Sequence, residues 1–545
     1  MLSSVGLIYL LNQHLMVVVP SHGGSLTEGE VGAPRFINPV LAASDSDKDL
    51  TALVYSGLIK ATPEGGYTPD LAREYSVSPD GKIYTVTLRS EATFQDGTPV
   101  SADDVVFTIG KIQNAALKSP LRANWEGVVV SAEDAHTLQF VLRQAYTPFI
   151  ENLTVGILPA HLWRGVSDSD FSFNMLNNNP VGSGPFAVGT ISRNASGVPT
   201  SYTLLAFKNY TLGWPYLDSL VFHFYKNQDD VAQALTHGAI DAASGIAPEA
   251  LAHIQNKQTA HAPQSRIFGV FFNQNQSTVL RDNTVRAALD AALDKNELVQ
   301  RVLGNYGTPI DGPIPPSLFD GSAWRSAGDI SALQRTLDAQ QMLLKAGWAL
   351  GADGILQKTI GAGKGAKTTT LSFTLSTGNV PELRSAAEYV QKAWERMGAK
   401  VDLAIYDQGD LSQNVIRPRK YDAILFGEVV GRTPDLYAFW HSSQRLDPGL
   451  NIALYANPTV DALLVTLRTT TDTNTQKNLY TEIASALQKD TPAVFLYTPD
   501  FVYSVPKDIV GLTMGFVETP SDRFLGIENW HRETDSVWPI FAGQR

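Results

Sequence analysis

The chain has 545 residues, of which 43% are hydrophobic and 18% are charged, and its formal net charge is −12. This length exceeds what one hydrophobic core supports and predicts two or three domains. The composition is typical of a folded protein, and the negative charge argues against nucleic-acid binding, which needs a basic stripe. The sequence contains no cysteine, which excludes disulfides, thiolate metal sites, cysteine nucleophiles and a lipid-modified N-terminal cysteine.

One apolar stretch stands at the beginning of the sequence, from Val5 to Val19, and Asn12, Gln13 and His14 interrupt it. It is shorter than the roughly 20 residues that cross a bilayer. No lysine or arginine precedes it, unlike the usual export signal. The stretch ends before the linker-like sequence SHGG. We interpret residues 1–22 as an N-terminal membrane anchor or signal-like segment.

The segment from Tyr67 to Lys111 has a regular local pattern. The sequence SPDG at 78–81 predicts a turn, and a strand follows in which apolar residues alternate with polar ones. A second turn at Asp96-Gly97 precedes a capping box at 101–104, which predicts the start of a helix. The buried residues expected from this pattern are Tyr84, Val86, Leu88, Val105, Ile109 and Ile112. Together these elements predict a small α/β lobe.

The sequence of the same segment closely resembles that of the family 5 extracellular solute-binding proteins, in the motifs PDLAREYSVSPDGKIYTVTLR and FQDGTPVSADDVVF. Members of that family are the peptide-, nickel- and oligosaccharide-binding subunits of ATP-driven importers. The resemblance continues in NPVGSGPF (Asn179 to Phe186), a crossing between domains in the family, and in VRAALDAALDK (Val285 to Lys295). It covers nearly the whole chain after the first twenty residues.

Beyond Gly269 the pattern changes to alternating strands and helices. Strands are predicted over Val270 to Asn273, Leu371 to Thr377, Val401 to Tyr406 and Ala493 to Val505, and helices over Asn283 to Leu303 and Pro381 to Met397. An earlier helix is predicted from Asp49 to Lys60. This β-α-β order predicts a mostly parallel sheet covered by helices, and the last strand is expected to return to the first domain.

We therefore predict an α/β, two-lobed, periplasmic-binding-protein-like fold of three domains with a discontinuous first domain and a hinge cleft. By resemblance, domain I comprises residues 23–60, 180–269 and 493–545. Domain II is an insert at residues 61–179, and domain III comprises residues 270–492. The resemblance implies that ligand lies between domains I and III.

No catalytic pattern stands out. The sequence GAGKGAKT (Gly361 to Thr368) places Ala366 where a phosphate-binding loop needs glycine, and it precedes a strand, so a basic hairpin tip is the preferred interpretation. Ser183 lies in GSGP, which lacks the nucleophile-elbow spacing. The ten histidines form no zinc-binding motif. We expect no enzyme activity, no metal site and no cofactor.

Specificity is expected in the segment from Tyr421 to Asn457. In peptide-binding relatives, the resemblance places an aspartate four residues before the proline of a loop, where it pairs with the ligand's α-amino group. Here that proline is Pro434 and the fourth residue back is Val430. Glu428 could take the role only if the loop shifts register, so capping the α-amino group of a peptide is expected to change affinity little.

The candidate ligand-binding residues lie at strand ends in both lobes and in this loop: Phe36, Asn38, Phe272, Asn273, Glu428, Arg432, Asp435, Tyr437, Trp440 and His441. Core packing is the preferred interpretation for Phe439. For Tyr437 and Trp440, packing and ligand contact stay equally open. Arg432 is interpreted either as a solvated loop residue or as the partner of a ligand carboxylate.

The resemblance implies an extracytoplasmic solute-binding protein that captures oligopeptides, or a similar polar solute, in an interlobe cleft. Its expected partners are the permease and ATPase subunits of an ABC importer and, through residues 1–22, the membrane. It is expected to be monomeric. The alternatives are an extracellular peptide or sugar hydrolase and a ligand sensor with no transport role.

Overall fold

The computed structural model describes residues 15–251, 254–255, 257–316, 318, 330–360 and 367–541. Its strands are, in chain order, β1 (Val17–Ser21), β2 (Ser25–Val31), β3 (Ile59–Ala61), β4 (Tyr67–Pro69), β5 (Ala72–Val77), β6 (Ile83–Leu88), β7 (Val129–Ala132), β8 (Thr137–Val141), β9 (Phe186–Arg193), β10 (Pro199–Ala206), β11 (Ser219–Tyr225), β12 (Ala242–Ser244), β13 (Lys257–Pro263), β14 (Arg266–Phe272), β15 (Gly307–Pro309), β16 (Ala349–Leu350), β17 (Leu356–Ile360), β18 (Lys367–Thr370), β19 (Ser372–Gly378), β20 (Lys400–Tyr406), β21 (Ala423–Val429), β22 (Ala493–Pro506) and β23 (Glu533–Val537). Its α-helices are α1 (Asp45–Val54), α2 (Ala102–Gln113), α3 (Ala160–Trp163), α4 (Gln228–Thr236), α5 (Pro248–Leu251), α6 (Asn283–Ala291), α7 (Lys295–Leu303), α8 (Ala332–Lys345), α9 (Pro381–Arg396), α10 (Gln408–Asp410), α11 (Tyr437–Trp440), α12 (Pro458–Thr469) and α13 (Thr473–Asp490).

Strand β22 joins the two lobes. The main sheet has the order β20-β19-β21-β14-β22-β12-β2-β11-β10-β9. The first half of β22 pairs with β14 from Ala493 to Tyr497, and its second half pairs with β13 from Asp500 to Pro506. The strands from β14 to β21 build one lobe, and β2 with β9 to β12 builds the other. The predicted two-lobed α/β architecture with a discontinuous first part is confirmed.

Each lobe has its own apolar core. In β14 the side chains alternate, so that Val270 and Phe272 face the core around Trp394, while Ile267 and Phe271 face the core around Trp440. The other lobe packs one large core that extends from β2 and β10 into the four-stranded sheet β5-β6-β8-β7. Separate cores joined by one continuous strand are the arrangement that allows two lobes to rotate as units.

The strand and the helix predicted between Tyr67 and Lys111 form as β6 and α2, and β6 belongs to the four-stranded sheet. Tyr84, Val86 and Leu88 of β6 are buried on one face, and β8 pairs with β6. Asp104 accepts hydrogen bonds from the backbone N–H of Ser101 at 2.9 Å and from its hydroxyl at 2.8 Å, which fixes the first turn of α2. The predicted inward residues of α2 are also buried.

Several boundaries differ from the prediction. Helix α1 begins at Asp45 and ends at Val54, because Ser44 and Asp47 already form a capping box four residues earlier than expected. The single helix predicted from Asn283 to Leu303 is two helices, because the side chain of Asp294 accepts a hydrogen bond from the backbone N–H of Glu297 and starts α7. The sheet is mixed: β19 is parallel to β20 and β21, whereas β14 is antiparallel to β21 and β22.

The N-terminal strand β1 pairs antiparallel with β23, from Val17 opposite Val537 to Ser21 opposite Glu533. The remainder of the predicted anchor, residues 1–14, lies outside the described residues, as do residues 361–366 of the glycine- and lysine-rich stretch. Within the described ranges, no helix is both long and apolar enough to cross a membrane.

Candidate functional site

Two cavities lie where the lobes meet, and Glu518 and Thr519 line both. The cleft cavity has a volume of about 280 Å³ and is lined by Glu30, Asp45, Gln228 and Ser244 of the first lobe and by Gln264 and Arg266 next to β14. The junction cavity has a volume of about 470 Å³. Its walls come from α1, from the four-stranded-sheet region, and from the loop after β21. Both linings combine apolar with charged side chains, and residues of both lobes contribute to each.

The loop from Val430 to Pro434 connects the second lobe to the first through side-chain and backbone contacts. Strand β21 ends at Val429, and Gly431 turns the chain with a φ of +75° that favours glycine. A Cβ added to Gly431 would lie 3.6 Å from the carboxylate oxygens of Glu151 and 3.8 Å from Oε1 of Glu518. The loop therefore ends against two acidic side chains that belong to other parts of the chain.

Arg432 is a buried bridge rather than a solvated loop residue. Its guanidinium pairs with Asp522, lies 3.8 Å from Glu518, and donates hydrogen bonds of 3.1 Å to the backbone carbonyls of Thr62 and Phe516. Only 2% of its side chain is exposed. These acceptors occupy the guanidinium, so Arg432 links the loop after β21 to segments of the first lobe.

Glu151 and Glu518 flank that bridge. A carboxylate oxygen of Glu151 accepts the backbone N–H of Thr433 at 2.6 Å. Burial raises the pKa of Glu151, and the Thr433 N–H and the Tyr67 hydroxyl partly oppose the shift. Burial, followed by the charges of Glu151 and Asp522, raises the pKa of Glu518 to about 8. The junction therefore contains more carboxylates than its guanidinium can neutralise.

Asp435 makes a second contact between the lobes, and Tyr437 and His441 lie near it. Asp435 accepts two hydrogen bonds from Arg468 Nε, at 2.9 and 3.2 Å, and one of 3.4 Å from the hydroxyl of Tyr146. The Tyr437 ring stacks on the His441 ring at 4.0 Å, and the Arg468 guanidinium lies 3.9 Å from the Tyr437 centroid. All three predicted residues are thus half-buried and close together, and Asp435 among them contacts the first lobe.

The predicted partners from the first lobe lie beside the junction cavity. Asn38 is fully buried, donates to Asn177 Oδ1 at 2.9 Å, and accepts the Val40 N–H at 2.8 Å. Phe36 is half-buried, and its N–H donates to Asp47 at 2.9 Å. Asn38 therefore shapes the turn whose next residue, Pro39, lines the cavity.

Three other predicted residues are enclosed within the second lobe. Phe272 is fully buried in the core around Trp394, and Trp440 is fully buried against Phe271 and Phe495. Asn273 donates to the Arg419 carbonyl at 2.9 Å and accepts two backbone N–H groups in its own turn. These side chains fill a core or fix a turn, and none of them lines either cavity.

Glu428 is also enclosed. It lies in β21 opposite Ile267, its exposure is 4%, and neither carboxylate oxygen has a hydrogen-bond partner in the part of the chain that the structure describes. Burial raises its pKa well above the usual range. Glu428 lines neither of the two cavities.

Sequence reasoning missed Glu151, Glu518 and Asp522. Glu151 and Asp522 lie in short 3₁₀-helices, and Asp522 forms a capping box with Thr519, but these local features do not indicate that the three side chains meet. Each becomes part of the site only through contact with Arg432 or Thr433. Tyr67 was inside the recognised motif, but nothing in the motif indicated that its side chain lines a cavity.

The comparisons with known proteins agree on one family. The model of the bacterial extracellular solute-binding proteins, family 5 Middle, matches residues 66–447. The oligopeptide-binding protein AppA of Bacillus subtilis is 27% identical over 522 residues, which cover 94% of this chain and 92% of AppA. The glutathione-binding protein GsiB of Salmonella paratyphi A is 26% identical, covering 84% of this chain and 85% of GsiB.

Solved structures give the same result. The structure of AppA from Bacillus subtilis in complex with a nonapeptide is similar with a TM-score of 0.67 and 26% identity, covering 94% of this chain and 99% of AppA. The ABC transporter substrate-binding protein CtaP from Listeria monocytogenes is similar with a TM-score of 0.77 and 26% identity, covering 94% of this chain and 100% of CtaP.

Proposed function

Since the chain belongs to the family 5 bacterial extracellular solute-binding proteins, we propose that it captures oligopeptides, or a similar polar solute, and delivers them to an ABC permease with its ATPase. The observation that carries this proposal is the pair of cavities lined by residues of both lobes. The similarity to AppA, which was solved with a nonapeptide, supports peptides as the ligand class.

The mechanism that we propose is hinge closure. Ligand would enter while the lobes are apart, and it would favour the closed state only through contacts that exist in that state. Strand β22 is the natural hinge because it is shared by both lobes. The lobes would then close over the ligand, and Arg432 and Asp435 would make contacts between them. The closed protein presents a defined surface, which the permease can distinguish from the open one.

The domain boundaries remain proposals: domain I at 23–60, 180–269 and 493–545, domain II at 61–179, and domain III at 270–492. Of the residues named from the sequence, we propose that Arg432, Asp435, Tyr437 and His441 act at the mouth of the cleft. The remaining ones, Phe36, Asn38, Phe272, Asn273, Glu428 and Trp440, would support the walls around it.

Location and partners follow the family. An extracytoplasmic location agrees with the extracellular solute-binding family, and we propose that the segment before β1 anchors the protein to the outer face of the membrane. We further propose a monomer that binds its ligand without hydrolysing it. Fractionation of expressing cells tests the anchor: release of soluble protein with a trimmed N-terminus would identify a cleaved signal instead.

The decisive experiment is mass spectrometry of the ligand that remains bound through native purification, followed by incubation with a defined peptide pool. We expect unchanged peptides to be recovered in stoichiometric amounts. Peptide turnover beyond stoichiometry would instead identify a hydrolase. Peptide binding by a gene product with no permease or ATPase gene beside it would favour the sensor. Failure of every peptide to bind would overturn the peptide proposal.

A further inference from the structure

A ribbon formed by β1 and β23 brings the two ends of the described chain together. These strands make a separate antiparallel sheet in which Val17 lies opposite Val537. One end of the ribbon joins the first lobe, where the backbone N–H of Gly23 donates to the Tyr216 carbonyl at 2.8 Å. Because the strands are antiparallel, the residues that precede Val17 and those that follow Val537 meet at the opposite end. We call residues 15–18 and 537–540 the ribbon tip.

The ribbon tip is apolar and exposed. The exposed fraction is 74% for Ile540, 68% for Val18 and 41% for Trp538, and Leu15 and Val17 are exposed as well. None of these five side chains belongs to an apolar core in the part of the chain that the structure describes. One exposed apolar side chain is ordinary in a folded protein, whereas several together on one projection mark a contact surface.

The ribbon tip and the sequence next to it carry no fixed charge. No aspartate, glutamate, lysine or arginine occurs in residues 1–27 or in residues 536–544. The acidic residues of β23 are Asp535 and Glu533, and Glu533 lies at the end of the ribbon that joins the lobe. The polarity therefore changes along the ribbon, from charged beside the lobe to apolar at the tip. A surface of this kind offers nothing to a charged partner and suits an apolar phase.

The sequence that precedes β1 indicates which apolar phase covers the tip. Residues 5–16 are mostly apolar and enter the ribbon at its tip, through Leu15. They are fewer than the roughly 20 apolar residues that cross a bilayer. Membrane attachment through one short apolar group is marginal, and stable anchoring takes a second contact. Trp538 and Ile540 lie where that second contact is needed, and tryptophan is a side chain favoured at the membrane interface.

We propose that the ribbon tip inserts Trp538 and Ile540 into the interface of a phospholipid bilayer, next to the anchor segment. This inference rests on the membrane anchor proposed above and adds a second contact from the opposite end of the chain. The pairing of β23 with the strand that follows the anchor holds the two contacts together. Since the ribbon joins the first lobe, both contacts act on that lobe.

Fluorescence quenching by brominated lipid tests the proposal. The full chain is mixed with phosphatidylcholine vesicles whose acyl chains are dibrominated, and with vesicles of the same lipid without bromine. Bromine quenches only those tryptophans that reach the acyl chains. We expect the wild-type protein to be dimmer with the brominated vesicles and the variant Trp538→Phe to lose this difference.

Trp214→Phe is the matched control for this measurement. Trp214 is also exposed, but its ring stacks on His22 at 3.7 Å, beside the end of the ribbon that joins the lobe. Its replacement should leave the bromine-dependent difference at the wild-type value.

Vesicle sedimentation gives a second measurement. The double variant Trp538→Ser, Ile540→Ser should lower the vesicle partition coefficient by about tenfold or more, because two large apolar side chains no longer leave water. The control is the double variant Phe173→Ser, Met175→Ser, which removes two apolar side chains at exposed positions away from the ribbon and should leave the coefficient unchanged. Unfolding midpoints verify that all variants are folded, as expected for exposed positions outside the cores.

Three results would overturn the inference. Wild-type protein that sediments with vesicles but is quenched no more than Trp538→Phe would leave the proposed anchor in place and remove the ribbon contact. Wild-type protein that stays in the supernatant would reject the anchor and the ribbon contact together. A wild-type dimer in light scattering that becomes a monomer in the double variant Trp538→Ser, Ile540→Ser would show that a second copy of the chain covers the tip instead.

Discussion

Glu428 provides a sharp test of the physical reasoning, because its buried carboxyl lacks any partner among the described side chains and backbone groups. Its burial raises the pKa in the folded protein well above the usual value, whereas the unfolded chain titrates near pH 4.3. Between these two values the folded state binds more protons than the unfolded state. Stability must therefore fall as pH rises, by about 1.4 kcal/mol per pH unit for this one group.

The substitution Glu428→Gln removes the titration but keeps the size and polarity of the side chain. At about 1.4 kcal/mol per pH unit, about 2.7 kcal/mol is the upper limit of the stability that the wild type can lose relative to the glutamine variant from pH 5 to pH 7. We expect the variant and the wild type to be close in stability near pH 5 and the variant to be more stable at pH 7. Above the pKa of the folded protein the difference stops growing.

Urea unfolding at pH 5, 6 and 7, followed by tryptophan fluorescence, measures the difference directly. Glu482→Gln, which replaces an exposed carboxylate, should give a pH profile parallel to that of the wild type. A pH-independent difference between Glu428→Gln and the wild type would refute the reasoning. It would mean that Glu428 is charged in the folded protein and paired with a cation, or that it reaches water.

Three further predictions concern the frame and the closure of the site. Arg523 is fully buried and pairs with Glu28, Glu30 and Asp49. Arg523→Met should therefore lower the free energy of unfolding in urea by about 3–5 kcal/mol. A loss below about 1 kcal/mol, similar to that of the control Arg532→Met at a partly exposed position, would contradict this. A Cβ at Gly182, in the crossing motif, would lie 2.0 Å from the Val54 carbonyl oxygen. Gly182→Ala should therefore destabilise the protein by more than about 2 kcal/mol, whereas Gly110→Ala, whose Cβ meets nothing within 4 Å, should not destabilise it. Equal effects of the two changes would refute the steric argument. Arg432→Gln removes the guanidinium that joins the lobes, so the unliganded variant should have a larger radius of gyration in solution X-ray scattering than the wild type; identical scattering would show that the bridge does not control closure.

Much of the fold could be predicted because its signals are local. The alternation of Tyr84, Val86 and Leu88 and the capping pair Ser101 and Asp104 each act within a few residues, and the structure reproduces both. Helix boundaries were less accurate where one side chain decides them. The Asp294 side chain accepts one backbone hydrogen bond and thereby starts a second helix. The apolar periodicity continues across this position, so it does not indicate the break.

The candidate site could be predicted only where the sequence places residues next to one another. Asp435, Tyr437 and His441 could be proposed together because they stand close together on one loop and one helical turn, and they remain a proposal as ligand-binding residues. Trp440, on the same turn, points into the core instead, because helical residues three apart share a face only approximately and Phe271 and Phe495 surround its ring. Composition alone could not show that Trp440 is fully buried while Asp435, Tyr437 and His441 are half-buried.

The junction was beyond sequence reasoning because long-range contacts create it. Thr433 meets Glu151 across 282 residues of chain, and Arg432 meets Asp522 across 90. The resemblance identified the position that lacks its expected charge, Val430, but a resemblance compares one position at a time. It cannot reveal that Glu151 and Glu518 reach the same space from other segments. The missing charge at Val430 would predict a loss of binding specificity only if the residues packed around that loop were also neutral. Here those residues, Glu151 and Glu518, are acidic.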